Sequence, residues 1–250
     1  MGERIPKVIH YCWFGGNPLT ELAEKCIASW KKYCPDYEIV EWNESNFDID
    51  CCEYVREAYD AKKWAFVSDY ARYKILYEHG GVYLDTDVEV LRPLDDLVIN
   101  GGFMGCENYT TDKMCVNPGV GCATVPGHSF YAEILADYEK SHFRNQDGTL
   151  NLYTVVERTT DLLDKYGLKA SLGVQQVGDI TIYPAEVLSP ASTLDGKLRV
   201  TENTYSIHHG VASWSNKSAH YYSAFLKFVY RCFGEKGFAR LRKIFGKRKS

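Results

Sequence analysis

Phe66-Val-Ser-Asp-Tyr-Ala-Arg-Tyr-Lys-Ile-Leu-Tyr-Glu-His-Gly-Gly-Val-Tyr-Leu-Asp-Thr-Asp, residues 66–87, changes its pattern once, at the glycine pair. From Ala65 to His79 the apolar residues recur at helical spacing, and Gly80-Gly81 then supplies the left-handed stop that ends a helix. Val82-Tyr83-Leu84 is a short apolar run of strand type. It runs straight into Asp85-Thr86-Asp87.

Upstream, Lys7 to Trp13 is β-branched and aromatic, follows Pro6 and ends in Phe14-Gly15-Gly16, which predicts a buried first strand delivering a glycine loop. Leu22, Ala23, Cys26, Ile27 and Trp30 recur at helical spacing, with Asn17 as the expected cap, Pro18 in the first position and Pro35 as the stop. Glu38 to Trp42 predicts a second strand. Downstream, strands are expected at Gly102 to Cys106, Ile180 to Tyr183 and Tyr205 to His209, and helices near Ser129 to Lys140 and Leu150 to Tyr166. Strands alternating with helices imply an α/β layered fold.

The 250 residues are 45% hydrophobic, enough for one sizeable core, and the net charge of −4 gives no global pull towards nucleic acid. Nine cysteines, an odd number with Cys51 and Cys52 adjacent and no CxxC pair, read as reduced and mainly buried thiols, which fits a cytoplasm better than a disulfide or zinc framework. No signal peptide is recognised ahead of Lys7, and the apolar runs fall far short of the roughly 20 residues of a membrane helix.

Asp85 and Asp87 stand two apart where an apolar strand ends, so strand periodicity points both carboxylates the same way, at the edge where α/β sheets bind ligands. Two close carboxylates demand a cation. Mn²⁺ or Mg²⁺ bridging to a diphosphate would relieve their repulsion and neutralise charge on a departing nucleoside diphosphate. A solvated acidic edge strand, continued by Glu89, is the plain alternative for an isolated Asp-x-Asp.

The context of the pair resembles the DXD-containing sugar-transferase family that includes yeast-type α-mannosyltransferases and bacterial capsule enzymes. Besides residues 66–87, the likeness extends to Ile5-Pro-Lys-Val-Ile-His-Tyr-Cys-Trp-Phe-Gly, to Ile182-Tyr-Pro, and to Tyr205-Ser-Ile-His-His with Ser213-Trp, so it spans roughly residues 5 to 215. The resemblance implies a GT-A fold with a mixed central sheet flanked by helices. It also implies a retaining, metal-dependent hexosyltransferase that takes a UDP- or GDP-sugar donor and a glycan acceptor, in surface or capsular polysaccharide synthesis. Residues 1–217 would be the catalytic domain.

Carried over residue by residue, Asp69 and Arg72 match the family's Ser-Asp-x-x-Arg helix, with the aspartate on donor sugar or ribose hydroxyls and the arginine on the sugar or phosphate side. At i and i+3 they share one helical face; a surface ion pair is the plain alternative. Tyr11 and Trp13 are candidates to flank the nucleotide base, with core packing an equal reading. One of His208 and His209 should bring the third metal ligand, and His209 is favoured because it stands five residues before Trp214. Ser213 and Trp214 could hydrogen-bond the leaving phosphate oxygen. Asn117 and Glu107-Asn108 match stretches that line the sugar and acceptor pocket, although turn chemistry alone explains Asn117-Pro-Gly. No residue is nominated as a covalent nucleophile.

Residues 218–250 mass Lys and Arg against a single acidic residue, Glu235, with Phe225, Phe228, Phe233, Phe238 and Phe245 interleaved. An amphipathic basic helical segment of this kind predicts peripheral attachment to an anionic membrane at its cytoplasmic face, and hence a lipid-linked acceptor. Two other classes compete. A haloacid-dehalogenase-like phosphatase also carries Asp-x-Asp after an apolar strand, but expects Thr or Val where Glu89 stands and places the motif on its first strand. A non-catalytic nucleotide-sugar or glycan-binding protein would keep the fold without the chemistry.

Overall fold

The computed structural model describes residues 4–107, 114–191 and 197–210. In chain order the elements are β1 (Val8–Cys12), α1 (Glu21–Tyr33), β2 (Glu38–Trp42), α2 (Glu53–Asp60), α3 (Trp64–His79), β3 (Gly81–Tyr83), β4 (Val88–Val90), α4 (Asp95–Val98), β5 (Phe103–Cys106), β6 (Val116–Thr124), α5 (Ser129–Glu139), α6 (Val155–Lys165), β7 (Gln175–Val177), β8 (Ile180–Tyr183), α7 (Ala185–Leu188) and β9 (Ser206–His208).

Seven strands form one mixed sheet in the order β2-β1-β3-β6-β5-β8-β7, while β4 and β9 pair as a separate antiparallel ribbon. β1 lies parallel to both β2 and β3, and β6 runs antiparallel to both of its neighbours. Strand alternation divides the interior in two. Ile9, Tyr11, Val82 and Leu84 join α1, α4, β4 and α7 in one core, whereas Cys12, Tyr83, Met104 and Cys122 join α2, α3, α5 and α6 in the other.

The acidic strand end is fixed from both sides. Gly80 and Gly81 take φ of 65° and 97°, which L side chains avoid, and a Cβ on Gly81 would stand 2.8 Å from Val8 O, so only glycine lets α3 turn directly into β3. On the other face, Trp30 is fully buried in α1 and its indole N–H donates to Val88 O at 2.7 Å, while Ser29 Oγ accepts from Val90 N at 2.9 Å. These bonds tie α1 to the residues immediately after Asp87.

Several expected boundaries move. α1 starts at Glu21 because the Thr20 hydroxyl, not Asn17, caps it by accepting Ala23 N–H, and Asn17 instead offers its carbonyl to Trp13 Nε1 at 2.6 Å. α6 starts at Val155 rather than Leu150, behind a capping box of Thr154 and Glu157. The largest difference is β6, buried along its whole length although it contains Asn117-Pro-Gly. Its pairing with β5 jumps from Met104↔Cys122 to Gly105↔Asn117, so Pro118 to Gly121 bulge out of the ladder and both the strand and the turn are present.

Asn108, Ser213, Trp214 and the basic segment 218–250 lie outside the described residues. Among the described residues, no helix is long and apolar enough to cross a membrane.

Candidate metal and donor site

Three elements converge at the ends of β3 and β5. Asp85 and Asp87 follow β3, and β9 pairs with β4 so that His208 stands opposite Val88. Asp85, Asp87 and His208 each offer a ligand atom, all within 4.8 Å of one another, and they form the one such group among the described residues. Two carboxylate oxygens from the segment after β3 and an imidazole nitrogen from β9 fit a divalent cation that accepts mixed oxygen and nitrogen donors.

His208, not the expected His209, joins the two aspartates. Strand alternation explains the exchange: His208 is the last paired residue of β9, on the face of the buried Ser206, and His209 lies one residue further on and faces the other way. His209 Nε2 sits 3.0 Å from Glu89 Oε2, which also receives Lys25 Nζ at 2.9 Å. His209 keeps a backbone link to the site, its N–H donating to Asp87 O at 3.0 Å.

α3 supplies the next layer. Arg72 is buried and reaches Asp85 Oδ1 at 3.2 Å through Nη1 and Asp69 Oδ1 at 2.9 Å through Nη2. Its guanidinium lies over the Tyr83 ring, 4.8 Å from the centroid, and Tyr83 OH donates to Asp85 Oδ1 at 3.2 Å. The ion pair is therefore internal, unlike the surface alternative. Burial works against the charge on Arg72, but Asp85, Tyr83 and Asp69 together hold it more firmly protonated than usual. Burial pushes the Asp69 carboxyl up to about 7 against the pull of Arg72.

The bulge of β6 completes the floor. Gly119 O accepts Asp85 N–H at 2.9 Å, and a Cβ on Gly119 would fall onto Asp85 Oδ2 and within 2.8 Å of Arg72 Nη1. Asn117 is buried, and its Oδ1 accepts Gly119 N–H at 2.7 Å. Glu107 lies just beyond β5, with Oε1 2.8 Å from His208 Nδ1. Burial would raise its pKa, yet hydrogen bonds from His208 and Asn117 bring it below the usual carboxylate value. Burial likewise disfavours protonated His208, but hydrogen bonds to Asp87 and Glu107 win, and its pKa rises to about 10.

Tyr11 and Trp13 part company. The Tyr11 ring packs edge-on against Trp30 at 5.7 Å and its hydroxyl donates to Glu41 Oε2 at 2.7 Å, so it is built into the core. Trp13 stands past the end of β1 and is partly exposed. Sequence reading missed Tyr83, Gly119 and the contact from Glu107 to His208, because each depends on strands brought together across the sheet. The pairing of β9 with β4, and no spacing within the sequence, set His208 beside the aspartates.

Residues 20–103 match the family described as the glycosyltransferase sugar-binding region containing a DXD motif. Over 102 residues the chain is 38% identical to inositol phosphoceramide mannosyltransferase 3 of Schizosaccharomyces pombe, which is 38% of this chain and 27% of that protein. It is 30% identical over 148 residues to inositol phosphoceramide mannosyltransferase 2 of the same yeast, 55% of this chain and 39% of that one. The matched span is thus well under half the length of either yeast relative. An uncharacterized glycosyltransferase of Acanthamoeba polyphaga mimivirus is 26% identical over 226 residues, 84% of each chain. Among solved structures, the PaToxG glycosyltransferase superposes with a TM-score of 0.50 at 18% identity, covering 65% of this chain and 70% of that one. Residues 20–103 are thus similar to the DXD-containing sugar-binding region of glycosyltransferases, and the chain has a GT-A fold.

Proposed function

We propose that this chain is a metal-dependent, retaining glycosyltransferase that moves a hexose from a UDP- or GDP-sugar to a glycan acceptor in surface polysaccharide synthesis. The observation that carries the reading is the convergence of Asp85, Asp87 and His208 beside the buried pair of Asp69 and Arg72. These three would hold the cation, with Mn²⁺ suiting an imidazole among carboxylates better than Mg²⁺. When bound, such an ion neutralises charge on the diphosphate leaving group.

The chain's own groups do the rest of the work at the donor. Arg72, buried and permanently charged, keeps Asp85 oriented and faces the sugar or phosphate side. Asp69 accepts hydrogen bonds from donor sugar or ribose hydroxyls. Asn117 lines the sugar pocket from the ladder position just before the bulge. Trp13 flanks the base more naturally than Tyr11, whose ring and hydroxyl are both engaged elsewhere. Ser213 and Trp214 are proposed to bond the leaving phosphate oxygen.

A mannosyl donor is the first to test, and a lipid-borne acceptor fits relatives whose names specify inositol phosphoceramide. The basic, phenylalanine-rich segment 218–250 would hold the enzyme on an anionic membrane surface. The phosphatase alternative conflicts with the fold, since Asp85-Thr86-Asp87 follows β3, not the first strand.

The test is release of nucleoside diphosphate from a panel of UDP- and GDP-sugars with Mn²⁺. A metal-dependent release with one or two donors is expected. Tight donor binding without release would support the non-catalytic binding protein, and no binding of any donor would overturn the transferase reading.

A further inference from the structure

His208 is held from two sides. Its Nδ1 lies 2.8 Å from Glu107 Oε1 and its Nε2 lies 3.3 Å from Asp87 Oδ1. Glu107 is itself anchored: its N–H donates to Cys115 O at 3.0 Å, and its carboxylate receives the Asn117 side chain, which is oriented in turn by Gly119 N–H on Asn117 Oδ1. Glu107 is not among the residues grouped as ligands; it stands behind the imidazole.

An ionised carboxylate only accepts hydrogen bonds, so the contact with Glu107 assigns a proton to Nδ1 of His208. Nε2 is then the nitrogen turned towards Asp85 and Asp87. A histidine that ligates a metal through one nitrogen commonly donates its other N–H to a carboxylate or carbonyl, which fixes the tautomer and ring rotation and raises the basicity of the ligating atom. We propose that Glu107 is a positioning residue of the metal centre, locking the His208 imidazole through Nδ1 so that Nε2 is presented beside Asp85 and Asp87 to a divalent cation. This rests on the metal reading of the site.

The chain Gly119–Asn117–Glu107–His208 gives the β6 bulge a purpose on both sides of the site. Its Gly119 makes room for the Asp85 carboxylate, and Asn117, the paired residue just before it, steadies the carboxylate that steadies His208. One irregularity in the strand thus sets the positions of two of the three ligands.

The experiment is a Mn²⁺ titration of the full chain, read as loss of the free-ion electron paramagnetic resonance signal. The proteins are wild type, Glu107→Ala, Glu107→Gln, His208→Ala and the double variant of Glu107→Ala with His208→Ala, with folding checked by circular dichroism. Glu107→Ala should weaken Mn²⁺ binding by roughly 10- to 100-fold, and Glu107→Gln, which keeps a neutral acceptor, by less but by at least about threefold. With His208 already replaced, Glu107→Ala should cost nothing more. Wild-type affinity in both Glu107 variants would overturn the proposal. So would an equal loss in the presence and absence of His208, because Glu107 would then act as a bare charge. If Glu107→Ala does not fold, Glu107→Gln decides alone, and unchanged affinity there overturns the proposal. A wild-type chain that binds no Mn²⁺ would remove the metal reading as well, which separates that failure from a failure of the positioning role only.

Discussion

Gly119 and Asp85 occupy one another's space: the Gly119 carbonyl accepts the Asp85 N–H at 2.9 Å, and the volume a Gly119 Cβ would fill is taken by Asp85 Oδ2. A methyl group there must move either the first aspartate of the motif or Arg72, both of which are pinned by further bonds.

Gly119→Ala should therefore lower Mn²⁺ affinity by at least about tenfold, about 1.4 kcal/mol, while the sheet still forms. Gly173→Ala is the control, since only Ser171 Oγ, at 3.7 Å, would lie near its Cβ. The measurement is Mn²⁺ binding beside thermal unfolding for both variants. Equal Mn²⁺ affinity in the two would show that Asp85 does not ligate from the position it holds here.

Asp87→Asn removes the negative charge of one ligand and leaves only a neutral Oδ1 acceptor beside His208 Nε2. Nucleoside diphosphate release with Mn²⁺ should fall to background in a chelator-cleaned assay, with unfolding little changed because asparagine keeps the shape of the side chain and its Oδ1 acceptor. Wild-type turnover in this variant would mean that the aspartate pair does not hold the metal.

Arg72→Ala should act on both stability and donor chemistry. The guanidinium is buried between Asp69 and Asp85, and removing it strands the buried Asp69 carboxylate, which costs about 3–5 kcal/mol when such a pair is broken. Donor kcat/KM should fall by at least about tenfold in addition. Arg72→Lys should not restore it, because a single ammonium cannot reach Asp69 and Asp85 through separate nitrogens. A loss of stability with unchanged kcat/KM would assign the pair a structural role only.

Much of this arrangement was readable from local pattern. The helix before Gly80, the strand after it and the paired aspartates depend on residues adjacent in the chain, and they stand where periodicity put them, with α3 beginning at Trp64. β2 and β8 likewise have their expected bounds. β6 was hidden because proline and glycine read as a turn, and only its neighbours β3 and β5 make those residues part of a sheet. The choice between His208 and His209 turned on the pairing of β9 with β4 across more than a hundred residues, which no spacing to Trp214 encodes.

His10 offers a test of the fold away from the metal. Its Nε2 lies 3.0 Å from Gly80 O, and its Nδ1 lies 3.0 Å from Trp42 Nε1. An indole N–H only donates and a carbonyl only accepts, so the ring is neutral, with the proton on Nε2 and the lone pair of Nδ1 given to Trp42. Burial drives the pKa down from 6.5 to about 4, with the Gly80 contact opposing it and nearby His79 adding to it. Because protonation would place two N–H groups against each other, the folded state resists it until about pH 4, whereas the unfolded chain takes up the proton near 6.5. Stability from this residue is therefore complete above about pH 6.5 and is lost as pH falls towards 4, a change of about 3 kcal/mol. Denaturant unfolding of wild type and His10→Asn at pH 7.5 and pH 4.5 measures it. The variant should be less stable at pH 7.5, with the gap narrowing by most of that amount at pH 4.5. A gap independent of pH would mean that His10 takes up its proton over the same pH range in the folded chain as in the unfolded one.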